Sequence, residues 1–297
     1  MAIKITFLGT SGATPTKSRG LPSVALEYDK DLILFDCGEG TQRQMLKYGV
    51  NLSKISYIFI SHIHGDHIFG IPGLIRSLAL NGRSRDLQIF VPSESVEKFK
   101  KLLYFDKQIL SYPIKIISVR QGRQVKTSGF EIHAFKLSHS VENYGYIFME
   151  KDHRNFIVEK CRNLGIEGTE FSELSKRSRI EKGGKIIRIS AVTKITKGKK
   201  IAYVADTRPL ASTVAHVKNA DLLVHEASYD ESMKHLAAER MHSTAREAAE
   251  VASKAHAKRL VLFHISARYK TSRKLENEAR KVFINTSFAY DGMEINL

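Results

Sequence analysis

Apolar and polar residues in the first half of the chain fall into short β-type runs separated by turn residues. Runs at 3–8, 23–28, 32–35, 55–61, 88–91 and 114–119 are dense in Ile, Val, Leu, Phe and Tyr, the composition of buried strands. Between them, 40–48, 70–80 and 93–103 carry apolar residues at helical spacing, the last with Ser93 as an N-cap. Strands return at 130–137, 144–150, 200–205, 221–224 and 259–263, with helices near 210–217 and 244–256. Thr244 and Glu247 have capping-box spacing at the start of the last helix. The pattern is that of an α/β chain written in two halves.

One segment, 151–200, departs from it. It holds 14 Lys/Arg against 6 Asp/Glu, a net +8, and its apolar signal is weak. Its sequence is compatible with a short helix pair and a hairpin. The whole chain of 297 residues carries 47 Lys+Arg and 31 Asp+Glu, a formal +16, so about half of the surplus lies in this one-sixth of the length. Such a balance attracts phosphate backbones, anionic membranes or acidic substrates and carries no information about fold. A solvated, charged loop and an arm that grips polyanions are both compatible with the segment.

With 42% hydrophobic residues, 19 Gly and 6 Pro, the composition excludes disordered and collagenous classes. Cys37 and Cys161 are too few for a disulfide framework or a four-cysteine zinc site, which points to a reducing compartment. The N-terminus lacks a secretory signature, and no run approaches the roughly 18 apolar residues of a membrane helix. A cytoplasmic location without membrane attachment is expected.

The candidate chemistry begins at Ser61-His62-Ile63-His64-Gly65-Asp66-His67, directly after the apolar run 57–60. In extended chain His62 and His64 project to one side, while Asp66 and His67 fall where the chain turns toward a helix. One pair can serve one ion and the other pair a second. Imidazole nitrogen and carboxylate oxygen suit Zn²⁺, with Mn²⁺ or Fe²⁺ possible in the same geometry. Further candidates recur at one position: His139, Asp206, His225 and His264 each follow an apolar strand, where sites in α/β sheets are assembled. His133, His153, His216, His235 and His256 lack this placement and read as bystanders.

HIHGDH, with the later His139, Asp206 and His264, resembles the metallo-β-lactamase superfamily over essentially the whole chain. Finer motifs resemble ribonuclease Z, the endonuclease family that removes 3′ trailers from precursor tRNA. They are Phe7-Leu8-Gly9-Thr10-Ser11-Gly12, Pro15-Thr16-Lys17-Ser18-Arg19, Asp36-Cys37-Gly38-Glu39-Gly40-Thr41-Gln42, Ala205-Asp206-Thr207-Arg208-Pro209, His225-Glu226-Ala227-Ser228, His242-Ser243-Thr244 and Ser266-Ala267-Arg268-Tyr269. The chain departs from the family pattern at Gly20, where Asn is usual, and at Ser228, where Thr is usual.

The resemblance implies an αββα sandwich, one metallo-β-lactamase-type domain over 1–297, with 151–200 inserted as a basic tRNA-binding arm. It implies that His62, His64 and His139 bind one Zn²⁺, that Asp66, His67 and His264 bind another, and that Asp206 bridges them; Mn²⁺ or another divalent ion could substitute. Asp66 would orient a metal-bridging hydroxide attacking the phosphorus. His242, assisted by Glu226, would protonate the leaving 3′-oxygen, leaving a tRNA 3′-hydroxyl and a 5′-phosphorylated trailer. Lys17, Arg19, Arg268 and Tyr269 would meet the RNA near the cut, and Lys176, Arg177, Arg179 and Lys182 would meet it on the arm. A homodimer is implied as well. Two rivals are another phosphodiesterase or hydrolase of the superfamily and a non-catalytic nucleic-acid-binding metalloprotein. The first has little need of a +8 arm, and the second predicts closed four-ligand sites.

Overall fold

In the computed structural model, which describes residues 2–104 and 110–297, the strands of the two halves form two seven-stranded sheets. The first runs Glu294–Asn296, Ile3–Gly9, Ser23–Tyr28, Asp31–Phe35, Ile55–Phe59, Leu87–Pro92, Ile114–Val119 from edge to edge. The second runs Thr286–Phe288, Leu260–Phe263, Leu222–Glu226, Lys200–Val204, Tyr144–Glu150, Phe130–Lys136, Gly122–Lys126. Each sheet is antiparallel in one part and parallel in the other, where helices make the crossovers. The parallel strands of each half end at a common edge.

Strand alternation sorts the first sheet's side chains into two layers. Ile33, Phe35, Phe59 and Phe90 face the second sheet's Phe130, Tyr146, Phe148 and Tyr203. Their chain neighbours Leu32, Leu34, Ile58, Ile60, Ile89 and Val91 pack with Met45, Leu74, Ile75 and Phe99 of the covering helices. Phe35 stacks on Tyr203 with ring centroids 5.2 Å apart, and Phe59 meets Tyr146 at 5.0 Å. Such pairs contribute about 0.5–1.5 kcal/mol each beyond the area they bury. Ala248, Ala249 and Ala252 of the helix Ala245–Lys254 are buried beside the second sheet, which completes the αββα layering.

The capping box at Thr244 and Glu247 is present. Ser93 does not cap its helix: a 3₁₀ turn, Ser93–Ser95, precedes Val96–Leu103, and Ser93 Oγ donates to Glu142 instead, at 2.9 Å. The strands Gly122–Lys126, Thr286–Phe288 and Glu294–Asn296 and the helix Arg273–Arg280 were not legible in the sequence, being too short or too polar to establish a period. Segment 151–200 forms a ladder of His153–Phe156 with Thr193–Thr196, then helices Val158–Asn163 and Glu170–Arg177 and the hairpin Arg179–Lys182/Lys185–Arg188. Cys161, Ile166, Leu174, Ile180, Ile187 and Val192 give it a small core of its own. It leaves and rejoins the second sheet near the pair Met149↔Lys200, at the strand ends remote from Asp206. Among the described residues, no helix is long and apolar enough to cross a membrane.

The helix Ile71–Leu80 seats on the loop after Asp31–Phe35 through a glycine contact. A Cβ on Gly70 would stand 2.1 Å from the Gly38 carbonyl oxygen, whereas a Cβ on Gly73 would meet only the end of the Gln42 side chain, at 3.3 Å. Gly70→Ala is therefore expected to destabilise the fold by about 2–3 kcal/mol. Gly73→Ala, inside the helix, should be neutral or stabilising by up to about 1 kcal/mol. Chemical denaturation of the two variants beside the parent chain measures both signs.

Candidate metal centre

The strand ends deliver the polar residues that the sequence singles out. His62 follows Ile55–Phe59, and His64 stands before the short helix Gly65–Ile68, which carries Asp66 and His67. His139 follows Phe130–Lys136, Asp206 follows Lys200–Val204 and His264 follows Leu260–Phe263. Three of these four strand ends belong to the second sheet and one, which delivers His62, His64, Asp66 and His67, to the first, so the cluster forms only where the sheets face each other.

There His62, His64, His139 and Asp206 form one group of donors, and Asp66, His67 and His264 form another. His62 Nε2 lies 3.0 Å from His64 Nδ1 and 3.6 Å from Asp206 Oδ2, and His139 Nε2 lies 3.3 Å from His64 Nδ1. In the other group His264 Nε2 stands 3.5 Å from Asp66 Oδ2 and 3.2 Å from Asp206 Oδ1, with His67 Nε2 at 3.6 and 3.5 Å from the same atoms. Asp206 thus turns one oxygen to each group. Donors bound to one ion at about 2.0–2.1 Å stand about 3.3 Å apart, so these spacings suit a small divalent cation in each group. Three buried atoms among them, His67 Nε2, His264 Nε2 and Asp206 Oδ1, have no hydrogen-bond partner. Orphaned buried donors converging on a common point are what a metal would satisfy.

Burial and the neighbouring His67 hold the His62 imidazole well below its ordinary pKa, which keeps it neutral and able to ligate. Burial opposes charge on His67 too, but Asp206, Asp36 and Asp66 raise it well above the usual histidine range. Burial likewise opposes ionisation of Asp66, yet His67 and His264 keep it below the usual carboxylate range.

Neighbouring groups orient four of the donors, His67, His264, His139 and Asp66. Asp36, wholly buried, accepts from His67 Nδ1 at 2.8 Å, from Ser61 N and Oγ at 2.7 and 2.8 Å, and from Tyr203 Oη at 2.7 Å. That carboxylate fixes the His67 ring, the usual support of a metal-binding imidazole. In the sequence Asp36 stands within a motif with no role of its own; its position at the end of a buried strand is the signal that marks it. Ser228 Oγ pairs with His264 Nδ1 at 3.0 Å, His139 Nδ1 with the Met241 carbonyl at 3.1 Å, and the Ala13 N–H donates to Asp66 Oδ2 at 2.8 Å. Asp36 and His264 both sit in the left-handed region, at φ 55° and 59°, local strain that the surroundings must sustain. Gly12 packs against the His264 ring so closely that a Cβ there would come within 2.6 Å of it.

His242 Nδ1 lies 3.2 Å from Glu226 Oε1 and 3.8 Å from Asp206 Oδ2. Burial disfavours its charge, but Glu226 and Asp206 prevail and raise its pKa to about 9. Glu226 is itself buried and accepts from the backbone N–H groups of Thr207, Ser228 and Ser243 at 3.1, 2.9 and 2.7 Å. Arg208 donates to the His242 carbonyl and pairs with Glu247 of the capping box, tying this loop to the strand that ends in Asp206.

His225, the remaining strand-end candidate, turns away: its Nδ1 donates to the Glu226 carbonyl at 2.7 Å, and it stands outside the donor groups. None of the five bystander histidines joins them. Arg19 reaches the Tyr269 carbonyl, Tyr269 Oη accepts from Asp230 N–H at 3.0 Å, and Arg268 lies 5.0 Å over the Tyr229 ring. Lys17 is exposed on the loop between Ala13 and Arg19. On the arm Lys176 and Arg179 are exposed, Arg177 pairs with Glu173 at 3.0 Å, and Lys182 is held by Glu170 at 2.7 Å and by the Gly165 carbonyl.

Family models described as "Anti-Pycsar protein Apyc1" and "Beta-lactamase superfamily domain" match residues 3–160 and 160–265. The ribonuclease Z of Methanothermobacter thermautotrophicus is 42% identical over 300 residues, 99% of this chain and 97% of that protein. The ribonuclease Z of Picrophilus torridus is 40% identical over 295 residues, 99% of this chain and 96% of its own length. Among solved structures, the short form of human tRNase Z superposes with a TM-score of 0.69 at 26% identity, covering 98% of both chains. The metallo-β-lactamase fold protein YhfI of Bacillus subtilis superposes at 0.75 with 21% identity, covering both chains fully, a likeness of fold. With its seven-donor cluster and full-length identity of about 40% to several ribonuclease Z proteins, the chain belongs to the ribonuclease Z family of the metallo-β-lactamase superfamily.

Proposed function

We propose that this protein is an endoribonuclease that removes the 3′ trailer from precursor tRNA, cutting 3′ of the discriminator nucleotide. The observation that carries the chemistry is the pair of donor groups sharing Asp206, with three buried atoms unsatisfied and His242 Nδ1 3.8 Å from the shared carboxylate. The substrate follows from the relatives named ribonuclease Z. The reading includes two Zn²⁺ per chain, a cytoplasmic location and a homodimer, as the family resemblance implies.

His62, His64 and His139 would hold one ion, Asp66, His67 and His264 the other, with Asp206 between. Ions held there supply Lewis acidity at the phosphoryl oxygens and lower the pKa of water. Asp66, kept ionised and fixed by the Ala13 N–H, accepts a hydrogen bond from the attacking water and so aims its lone pair at phosphorus. As the water oxygen bonds to phosphorus, the P–O bond to the 3′-oxygen breaks and protonated His242 donates its proton to that oxygen; the proton shed by the water leaves to solvent, from which His242 is recharged. Glu226 keeps His242 charged until that moment, and Arg208 holds its backbone. The products are a tRNA 3′-hydroxyl and a trailer with a 5′-phosphate. Lys17, Arg19, Arg268 and Tyr269 flank this centre as contacts for the RNA around the cut, while Lys176, Arg177, Arg179 and Lys182 belong to the arm that meets the tRNA body.

Purified protein should cut a 3′-extended pre-tRNA, and chelation or Asp66→Ala should abolish cleavage. Uncut RNA beside rapid turnover of a small phosphodiester would turn the assignment to another phosphodiesterase. His242→Ala should lower kcat by about 10²–10⁴-fold. Because the Glu226 charge raises the His242 pKa, Glu226→Gln should move the alkaline limb of the kcat/KM profile toward neutral pH; an unmoved limb would separate Glu226 from the proton donor. Phe156 and Thr193 are paired at the end of the arm's ladder, so a tight turn can join them in place of 157–192. That deletion should weaken pre-tRNA binding at least about tenfold and flatten its salt dependence, with small-diester hydrolysis preserved.

A further inference from the structure

Asp291 lies outside the donor cluster, yet it touches both ends of the loop that reaches into it. The chain leaves the first sheet at Thr10, passes Ala13 and Arg19, and returns at Gly20. Asp291 Oδ1 accepts from Thr10 Oγ1 at 2.8 Å, and Oδ2 accepts from the Gly20 N–H and from Gln44 Nε2, each at 2.6 Å. The Ser11 N–H donates to the Gly20 carbonyl at 2.9 Å and closes the same neck. Asp291 is also tied to both sheets through its chain neighbours. The Ala289 N–H donates to the Leu262 carbonyl, on the strand that leads to His264, and the Gly292 N–H to the Phe7 carbonyl, on the strand that leads into the loop, both at 2.7 Å. The carboxylate is thus a fixed point common to the two halves of the site.

We propose that Asp291 is a positioning residue for the hydrolysis: by holding the loop at its neck, it sets the Ala13 N–H against Asp66 and the Arg19 guanidinium against Tyr269. The proposal rests on the nuclease reading. Loss of the clamp acts at two distances from the chemistry. A displaced Ala13 releases Asp66 and slows bond breaking on every substrate, whereas displaced Lys17 and Arg19 affect only a substrate long enough to reach them. Three donors converge on Asp291, and the Thr10 hydroxyl can turn from donor to acceptor. An asparagine, with its oxygen toward Gly20 and Gln44 and its amide toward Thr10, preserves the clamp.

The test compares the parent chain with Asp291→Asn, Asp291→Ala and Thr10→Val, measuring kcat and KM on a 3′-extended pre-tRNA and on a small chromogenic phosphodiester. Metal content and Tm are recorded for each. Asp291→Ala should lower kcat about tenfold on both substrates and raise KM for the RNA alone, at unchanged metal content. Asp291→Asn should stay within about threefold of the parent, since the clamp survives. Thr10→Val should show the same split in milder form and serves if the alanine variant does not fold. Unchanged kinetics with a lowered Tm, or equal losses in the Asn and Ala variants, would overturn the proposal. If the parent leaves pre-tRNA uncut, the nuclease reading fails, while kcat on the small diester still judges the clamp.

Discussion

Asp206 is the constraint around which the protein is arranged. A carboxylate 2% exposed, with one oxygen lacking any hydrogen-bond partner, lies between two sets of histidines whose donor nitrogens point inward. Burying such groups is costly unless something positive completes them. Holding them together falls to the strands, because a strand end is fixed by its ladder while the loop beyond it is free to turn. The left-handed backbone at Asp36 and at His264 is the local price of aiming those residues.

Around that centre the supporting contacts cross from one half of the chain to the other. Tyr203, from the second sheet, donates to Asp36 of the first, and Asp36 in turn orients His67. Ser11–Gly12 pairs with Ile265–Ser266, which ties the loop carrying Ala13, the donor to Asp66, to the second half. The aromatic layer of Phe35, Phe59, Tyr146 and Tyr203 lies directly behind these contacts, so the rigidity of the core is transmitted to the donors. Charge is organised the other way: the basic arm has its own core and leaves the second sheet at the end remote from Asp206. Placement of metal donors and gathering of polyanion-attracting charge are separate tasks, given to opposite ends of the same strands.

The buried parallel strands were legible because burial on both faces of a sheet writes a dense apolar run, as in Leu32 to Phe35 or Leu260 to Phe263. The capping box at Thr244 and Glu247 was equally local and equally readable. Ser93 misled because its hydroxyl meets Glu142, about fifty residues on, a partner that no local rule anticipates. The polar helix Arg273–Arg280 and the three-residue strands near the C-terminus left no period to read. Yet that silent segment brings Asp291 to the neck of the loop beside the site.

By itself the sequence determined the strand-and-helix alternation, the basic insertion and the set of residues able to bind metal, because each is a property of neighbours along the chain. It left His225 level with His139, Asp206 and His264, all four being polar residues after apolar strands. Tertiary structure decided between them: His225 turns to the Glu226 carbonyl, while the other three converge with the HIHGDH donors. It also decided that Asp206 divides its two oxygens between the groups, that Asp36 and Asp291 act as supports, and that Lys182 is engaged within the arm. Those outcomes depend on which strand ends face each other across two sheets, a relation between residues up to hundreds of positions apart.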